Sequence, residues 1–166
     1  MPFTSMTKTL SAPTLAFRLY RAGDSWPFTD PTMLRLPAEP DEEEVPREWI
    51  GWKGQEAVAL LSTYPAGTRL CGIGLEPGDE MLFLRVAMDE NGQFLFDAPT
   101  AYKFAFRHVL DDPAINRIIV ELSTLNKQEN EHLASIDLFP HCKIDSEPRM
   151  NYYVINRDWD ANSYPL

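Results

Sequence analysis

The sequence predicts a single α/β domain with a central mixed, mostly antiparallel sheet flanked by helices, and three observations support this class. The clearest strand pattern covers residues 81–88, where apolar side chains alternate along one face. Residues 116–122 are rich in Ile and Val and lie between two helical stretches, which is typical of a buried parallel strand. Two short strands, residues 142–144 and 152–156, are predicted to close the sheet as an antiparallel pair.

Length and composition indicate one globular domain. The 166 residues suffice to bury a core, and 44% of them are apolar and 24% charged. No apolar run approaches the ~20 residues that a membrane-spanning helix needs, so we expect no membrane partner. Residues 1–14 lack the continuous apolar segment of a secretory signal and are expected to form a flexible tail ahead of a domain over residues 15–166.

Net charge and cysteine content indicate which partners to expect. The formal net charge is -10 and no cluster of Lys and Arg occurs, which argues against a nucleic-acid partner. The acidity either serves solubility or favours a cationic substrate, and both interpretations stay open. Cys71 and Cys142 lie far apart and make no disulfide framework, so a cytoplasmic location is expected. No feature of the sequence indicates an oligomeric state.

The first half of the chain is predicted to be less regular than the second. Residues 15–20 alternate as a first strand. Residues 21–46 contain five prolines and an acidic run, and we expect either a solvated loop or an acidic rim that attracts an amine. Residues 47–62 are predicted to form a helix because apolar residues recur at helical spacing, and residues 69–75 are predicted to form a strand.

Turn and capping residues organise the second half. The pair Asn91 and Gly92 predicts a tight hairpin turn after the clearest strand, with residues 93–96 as the returning strand. Asp97 is a suitable N-cap for a helix that carries a proline in its first turn. A second helix is expected over residues 126–137, where most side chains are polar.

Residues 111–139 carry an ordered series of motifs. They read Asp-Asp-Pro, a strand rich in Ile and Val, Glu-Leu-Ser-Thr-Leu-Asn, and a helix that ends in Asp-Leu-Phe. This order resembles the second half of the GNAT N-acetyltransferase superfamily. It is similar in particular to the siderophore-biosynthesis branch, which has an acidic-Asp-Pro stop, Glu-Pro-Asp-x-x-Asn and a helix ending in Gly-Phe. The matching positions are Asp112, Pro113, Arg117, Val120, Glu121 and Asn126.

The resemblance implies an acyltransferase. The implied donor is acetyl-CoA, another acyl-CoA or a carrier-borne pantetheine thioester, and the implied acceptor is a small amine or hydroxylamine. Backbone N–H groups of a central strand polarise the acyl carbonyl in that family, and the resemblance places them at residues 93–96. Gln93, Phe94 and Phe96 are therefore the candidate acyl-binding residues, and Asn126 is expected to position the pantetheine arm.

Several catalytic parts of the family are replaced in this sequence. The family binds the CoA diphosphate with a glycine-rich turn at a helix N-terminus, whereas the corresponding segment here has no glycine and contains Pro99, which lacks an N–H. Gln93 stands in place of the family's general-base His, and Ser123 in place of an Asp. A base would have to come from Glu121 or His132, with Ser123 as a third catalytic candidate.

These replacements also support other hypotheses. One is a catalytically inactive GNAT-like binding or regulatory protein that has lost the CoA loop and binds a protein partner. Another is an unrelated α/β binding protein with an acidic face. The aromatic residues could line an acyl pocket or pack in the core. The three histidines have no zinc-ligand spacing, so no metal site is expected.

Overall fold

In the part of the chain that the structure describes, seven strands form one continuous sheet. The computed structural model describes residues 13–28, 33, 46–66, 75–144 and 149–159. The strands are β1 Ala16–Tyr20, β2 Arg47–Lys53, β3 Glu56–Pro65, β4 Asp79–Val86, β5 Arg117–Ser123, β6 Cys142–Ile144 and β7 Met150–Asn156, and the helices are α1 Ala98–Leu110 and α2 Lys127–Ala134. The strand order across the sheet is β1-β2-β3-β4-β5-β7-β6. Among these described strands only β4 and β5 pair in parallel, so the sheet is mixed and mostly antiparallel, as predicted.

Most of the predicted elements occur where the sequence places them. The strands that correspond to β1, β4, β5 and the β6–β7 pair are confirmed. Asp97 caps α1, since its carboxylate accepts a hydrogen bond from the backbone N–H of Thr100 at 3.1 Å. Most of the predicted tail, the acidic run and most of the strand predicted over residues 69–75 lie outside the described residues.

β2 and β3 form an antiparallel hairpin, so the helix predicted over residues 47–62 is wrong. The two strands meet across a turn in which Gly54 has a φ of 63°. β3 is buried along most of its length, and a short continuous apolar run fits a buried strand as well as a helix. At Gly51 a Cβ atom would lie 3.0 Å from the Cβ of Ala59, so glycine permits a close approach between the paired strands.

The segment after β4 turns tightly but does not return as a strand. The backbone N–H of Asp89 donates to the carbonyl of Gln93 at 2.8 Å, and Gly92 has a φ of 78°, which is the turn that the sequence predicts. Beyond it Phe94 makes an isolated bridge to Met88, and the backbone N–H of Leu95 donates to the carbonyl of Ala87 at 2.8 Å. The returning strand predicted over residues 93–96 is therefore wrong, because the chain leaves the sheet to enter α1.

The helices cover one face of the sheet. Side chains alternate between faces along a strand, and even-numbered residues of β4 and β5, such as Leu82 and Ile118, share a core with α1. Odd-numbered residues, such as Met81 and Ile119, belong to a separate cluster on the other face. Within the described ranges, neither helix is long and apolar enough to cross a membrane.

Candidate active site

β4 and β5 are joined at one end and separate at the other. They pair at only three positions, from Asp79 with Arg117 to Met81 with Ile119. Both strands continue well past these pairs without pairing to each other again. The parallel pair therefore encloses a wedge-shaped cleft that widens toward the carboxyl ends of the two strands.

A buried ion pair joins the closed end of the cleft. The side chain of Asp79 has no exposed surface, and it accepts hydrogen bonds from Nε and Nη2 of Arg117 at 2.7 and 2.9 Å. Oδ2 of Asp79 also accepts from the backbone N–H of Glu76 at 2.7 Å. A bidentate arginine–carboxylate pair fixes both distance and orientation, so it sets the spacing of β4 and β5 where the cleft begins.

The separation of the strands directs backbone groups into the cleft. The odd-numbered residues of β4 form the hydrogen-bonded pairs with β3. The 2.8 Å hydrogen bond from the N–H of Ala87 to the carbonyl of Val58 shows which residues these are. Even-numbered residues of β4 therefore turn their N–H groups toward β5. Past Met81 no residue of β5 pairs with them, so the N–H groups of Leu84 and Val86 face the cleft.

A cavity of about 400 Å³ occupies the cleft, within the size range of small-molecule sites. Its wall combines side chains from both faces of the sheet. The helix-side residues include Leu82, Leu84 and Val120, and the opposite face contributes Phe83, Arg85 and Glu121. A molecule in the cavity can therefore contact groups on both faces of the sheet.

A tyrosine–glutamate pair lies on the helix side of the cavity. The hydroxyl of Tyr102, on α1, donates to the carboxylate of Glu129, on α2. Burial, and then the negative charge of Glu129, raise the pKa of Tyr102 well above its ordinary value. Tyr102 therefore stays protonated at neutral pH and holds the Glu129 carboxylate in the cavity wall.

Asn130 fastens the open end of β5 to its neighbours. Its side-chain amide donates to the carbonyls of Ser123 at 3.0 Å and Asn126 at 2.7 Å. Its Oδ1 accepts from the amide of Asn151 at 2.9 Å and from the hydroxyl of Tyr153. Asn130 is not among the residues predicted from the sequence. An asparagine inside a helix is unfavourable unless its side chain makes such contacts, so its position was a usable signal.

Four of the residues selected from the sequence line this cavity: Phe94, Glu121, Ser123 and Asn126. Glu121 and Ser123 lie two residues apart on β5 and share the face opposite the helices. Asn126 is the N-cap of α2, where its Oδ1 accepts from the backbone N–H of Glu129 at 3.3 Å. The structure thus brings together one carboxylate, one hydroxyl and one amide from a single stretch of chain.

Gln93 and Phe96 do not line the cavity. The N–H of Gln93 donates to Oδ1 of Asp89 at 3.0 Å, so it is not available to an acyl carbonyl. Phe96 is buried beneath α1, with its ring centroid 6.1 Å from that of Phe104. The sequence predicts acyl-binding residues after the turn, at residues 93–96, whereas the N–H groups that face the cleft precede the turn, on β4.

His132 lies behind the cavity wall. Its ring packs edge-on against Phe94 with 5.5 Å between centroids. Its Nε2 is buried without a hydrogen-bond partner and lies 4.0 Å from the carboxylate of Glu129. His132 therefore reaches the cavity only through other residues. In the part of the chain that the structure describes, no three His, Cys, Asp or Glu side chains are grouped to hold a metal ion.

Comparison with known proteins identifies relatives by structure. No protein-family model matches the sequence, and no curated protein matches it significantly. The aminoglycoside acetyltransferase AAC(6')-Ib, solved with ribostamycin and coenzyme A, has a TM-score of 0.56 and 14% identity over 68% of this chain. An uncharacterised protein from Bacillus halodurans has a TM-score of 0.57 and 10% identity over 70% of this chain and 61% of its own. Spermidine N-acetyltransferase from Vibrio cholerae, solved with CoA and spermine, has a TM-score of 0.50 and 10% identity over 68% of this chain and 66% of its own.

The fold is that of the GNAT N-acetyltransferases, as the sequence resemblance indicated. The chain spans 64% of the length of the AAC(6')-Ib chain solved with ribostamycin. At identities this low the likeness establishes the fold, and the chemistry has to be argued from the cleft itself.

Proposed function

We propose that this protein transfers an acyl group from a pantetheine thioester, acetyl-CoA or another acyl-CoA included, to a small amine. The observation that carries the proposal is the separation of β4 and β5 around a cavity that the N–H groups of Leu84 and Val86 face. AAC(6')-Ib and the Vibrio cholerae enzyme are acetyltransferases solved with CoA and with amine-rich ligands, which supports the same donor and acceptor classes here.

The backbone of β4 is assigned to the acyl carbonyl. The acceptor nitrogen attacks the thioester carbonyl carbon, and the N–H groups of Leu84 and Val86 stabilise the negative charge that develops on its oxygen. The carbon–sulfur bond then breaks and its electron pair leaves with sulfur as a thiolate, which takes up a proton. The acceptor nitrogen gives one proton to a base, and the products are an amide and a free thiol.

Glu121 is the proposed base. Its carboxylate belongs to the cavity wall on the face opposite the helices. Ser123 is assigned to orient the acceptor, because its Oγ already accepts from the N–H of Leu125 at 3.2 Å and its hydroxyl hydrogen can donate to a ligand. Asn126 is assigned to the pantetheine arm, since its amide lies at the same cavity edge.

A more specific form of this proposal is that the acceptor is a hydroxylamine and that the reaction belongs to siderophore biosynthesis in the cytoplasm. It rests on the series of motifs from Asp112 to Asn126. Parallel turnover assays with an amine and with the corresponding N-hydroxyamine test it. A higher kcat/KM for the N-hydroxyamine supports the siderophore assignment, and a higher value for the plain amine contradicts it.

A catalytically inactive binding protein is the second candidate. The observation in its favour is the N-terminus of α1, where Asp97 and Pro99 replace the glycine-rich phosphate loop of the family. Such a protein would retain the cleft and bind its ligand, or a protein partner, without turnover. The two candidates therefore differ in product formation and agree in fold.

Thermal unfolding with a cavity-filling variant tests donor binding. Ser123→Trp places an indole in the cavity wall, whereas Thr124→Trp adds the same side chain at the next residue, outside the cavity lining. With about 1 mM acetyl-CoA we expect the melting temperature to rise by roughly 3 °C or more in the wild type and in Thr124→Trp. Ser123→Trp is expected to show no rise. Equal responses from both variants would place the donor elsewhere.

A further inference from the structure

The N-terminus of α1 offers little to a phosphate group. A helix N-terminus usually binds anions through unpaired N–H groups and the positive end of the helix dipole. Here Pro99 has no N–H, and the N–H of Thr100 is already donated to the carboxylate of Asp97 at 3.1 Å. The Asp97 carboxylate also brings a negative charge to the place where an anion would bind.

The N-terminus of α2, at the same cleft, is closed in a similar way. Oδ1 of Asn126 accepts from the N–H of Glu129 at 3.3 Å. The carboxylate of Glu129 lies in the first helical turn, is fixed by Tyr102 and forms part of the cavity wall. A carboxylate in this position already interacts favourably with the helix dipole and repels a second anion.

The turn between β4 and α1 also uses its own N–H groups. Oδ1 of Asp89 accepts from the N–H of Asn91 at 2.8 Å and from that of Gln93 at 3.0 Å. Within the described residues, the three segments that follow β4 and β5 therefore each direct some of their N–H groups to a side-chain oxygen of this chain. In two of the three the oxygen belongs to a carboxylate, and in the third a carboxylate lies in the same helical turn.

We infer that the protein recognises the acyl donor by its pantetheine arm and thioester and makes no specific contact with a nucleotide diphosphate. This inference rests on the proposed function and narrows its donor class. The cleft supplies N–H groups for the carbonyl oxygen, and the Glu129 carboxylate can accept from an amide N–H of the arm. Two sources share this chemistry: a free pantetheine thioester and a phosphopantetheine thioester on a carrier protein.

The test is a comparison of donors with the full-length protein and one amine acceptor. Steady-state kcat/KM is measured with acetyl-pantetheine and with acetyl-CoA. A diphosphate held by even one charge-assisted hydrogen bond would favour acetyl-CoA by about tenfold or more. We expect a ratio below that value, and a larger preference for acetyl-CoA overturns the inference alone. Absence of both binding and turnover with either donor overturns the proposed function, and the inference with it.

A charge variant and its matched control sharpen the test. Asp97→Asn keeps a side chain that can cap α1 and removes one negative charge, and Asp111→Asn removes the same charge at the other end of that helix. We expect Asp97→Asn to raise kcat/KM for acetyl-CoA by about threefold relative to acetyl-pantetheine. We expect no change in that ratio for Asp111→Asn. A ratio unchanged in both variants contradicts the role of Asp97.

A third donor, acetyl-phosphopantetheine attached to a carrier protein, distinguishes the two sources. Turnover well above that of acetyl-pantetheine assigns the donor to a carrier protein, and turnover at or below it assigns the donor to the small molecule. Both outcomes support recognition of the arm, because neither donor contains a nucleotide diphosphate.

Discussion

Glu121 and His132 are the two candidate bases in the sequence, and their surroundings differ. Glu121 lines the cavity, whereas His132 packs behind Phe94. Glu121→Gln keeps the shape of the side chain and removes the base, so we expect kcat to fall by roughly 100-fold with little change in KM. His132→Gln is expected to keep kcat within about threefold of the wild type. Thiol-release kinetics measure both.

The outcome for this pair of variants decides the assignment. An equal loss of kcat in both would indicate a structural cause, and unchanged turnover in Glu121→Gln would remove Glu121 as the base. A loss confined to His132→Gln would move the base behind the cavity wall, where a relay through Glu129 would be required.

Burial of His108 makes the free energy of unfolding depend on pH near neutrality. Its ring lies on α1 and packs 4.5 Å from the ring of Trp49 and 5.4 Å from that of Phe17. Burial is the largest cause that lowers the pKa of His108, and the positive charge of Arg47 lowers it further, while Asp111 opposes them. The folded protein therefore favours the neutral imidazole more than the unfolded chain does.

The sign of the pH effect follows from this lowered pKa. The unfolded chain takes up a proton near pH ~6.5, above the pKa of His108 in the folded state. The stabilisation is complete above that pH and is lost as the pH falls toward the folded-state pKa. We expect the free energy of unfolding to decrease from pH ~7.5 to ~5, and His108→Phe to weaken this dependence.

At the scale of elements, the joined end of β4 and β5 depends on one buried ion pair. Arg117→Leu leaves the Asp79 carboxylate buried without its guanidinium partner, so we expect a loss of about 3 kcal/mol or more in the free energy of unfolding. Urea unfolding measures this loss. Adding Asp79→Leu to Arg117→Leu should restore part of it, because the uncompensated charge is then removed.

A neighbouring ion pair is the control for this prediction. Arg47 lies 3.1 Å from Glu80; the Arg47 side chain is 48% exposed and that of Glu80 is 6% exposed, so water can replace the contact from the arginine side only. Arg47→Leu is therefore expected to destabilise the protein less than Arg117→Leu. A larger effect for Arg47→Leu would show that the Asp79–Arg117 pair is not what holds β4 and β5 together.

The elements that could be predicted from the sequence are those with local chemical signals. α1 was predictable because Asp97 caps it and a proline opens it, and β5 because its β-branched run is short and bounded. The β2–β3 hairpin was not, since the buried run at residues 58–61 carries no period that separates strand from helix. Only Gly54, at a turn position, indicated the break.

At the scale of the whole molecule, the candidate site was predictable only in part. Glu121, Ser123 and Asn126 follow one another along the chain, so a single motif could identify them. The N–H groups of Leu84 and Val86 become donors only because β4 and β5 separate. The separation of β4 and β5 depends on the order of the strands across the sheet, and no local sequence pattern determines that order.

The overall fold is retained in proteins whose sequences differ widely. The fold persists at 14% identity to AAC(6')-Ib, while the segments beside the cleft direct N–H groups to their own side chains. A fold of this kind can keep its central cleft while the segments beside the cleft change, because the two are separate features of the structure.

The central claim is that the cleft between β4 and β5 transfers an acyl group to an amine. The most direct test incubates the protein with acetyl-pantetheine and small amines and measures both the free thiol and the acetylated amine by mass spectrometry. We predict equal amounts of the two products, formed by the wild type and Thr124→Trp and lost in Ser123→Trp. Thioester-dependent stabilisation with no acetylated amine, across a panel of amines and hydroxylamines, would contradict catalysis and support the binding protein instead.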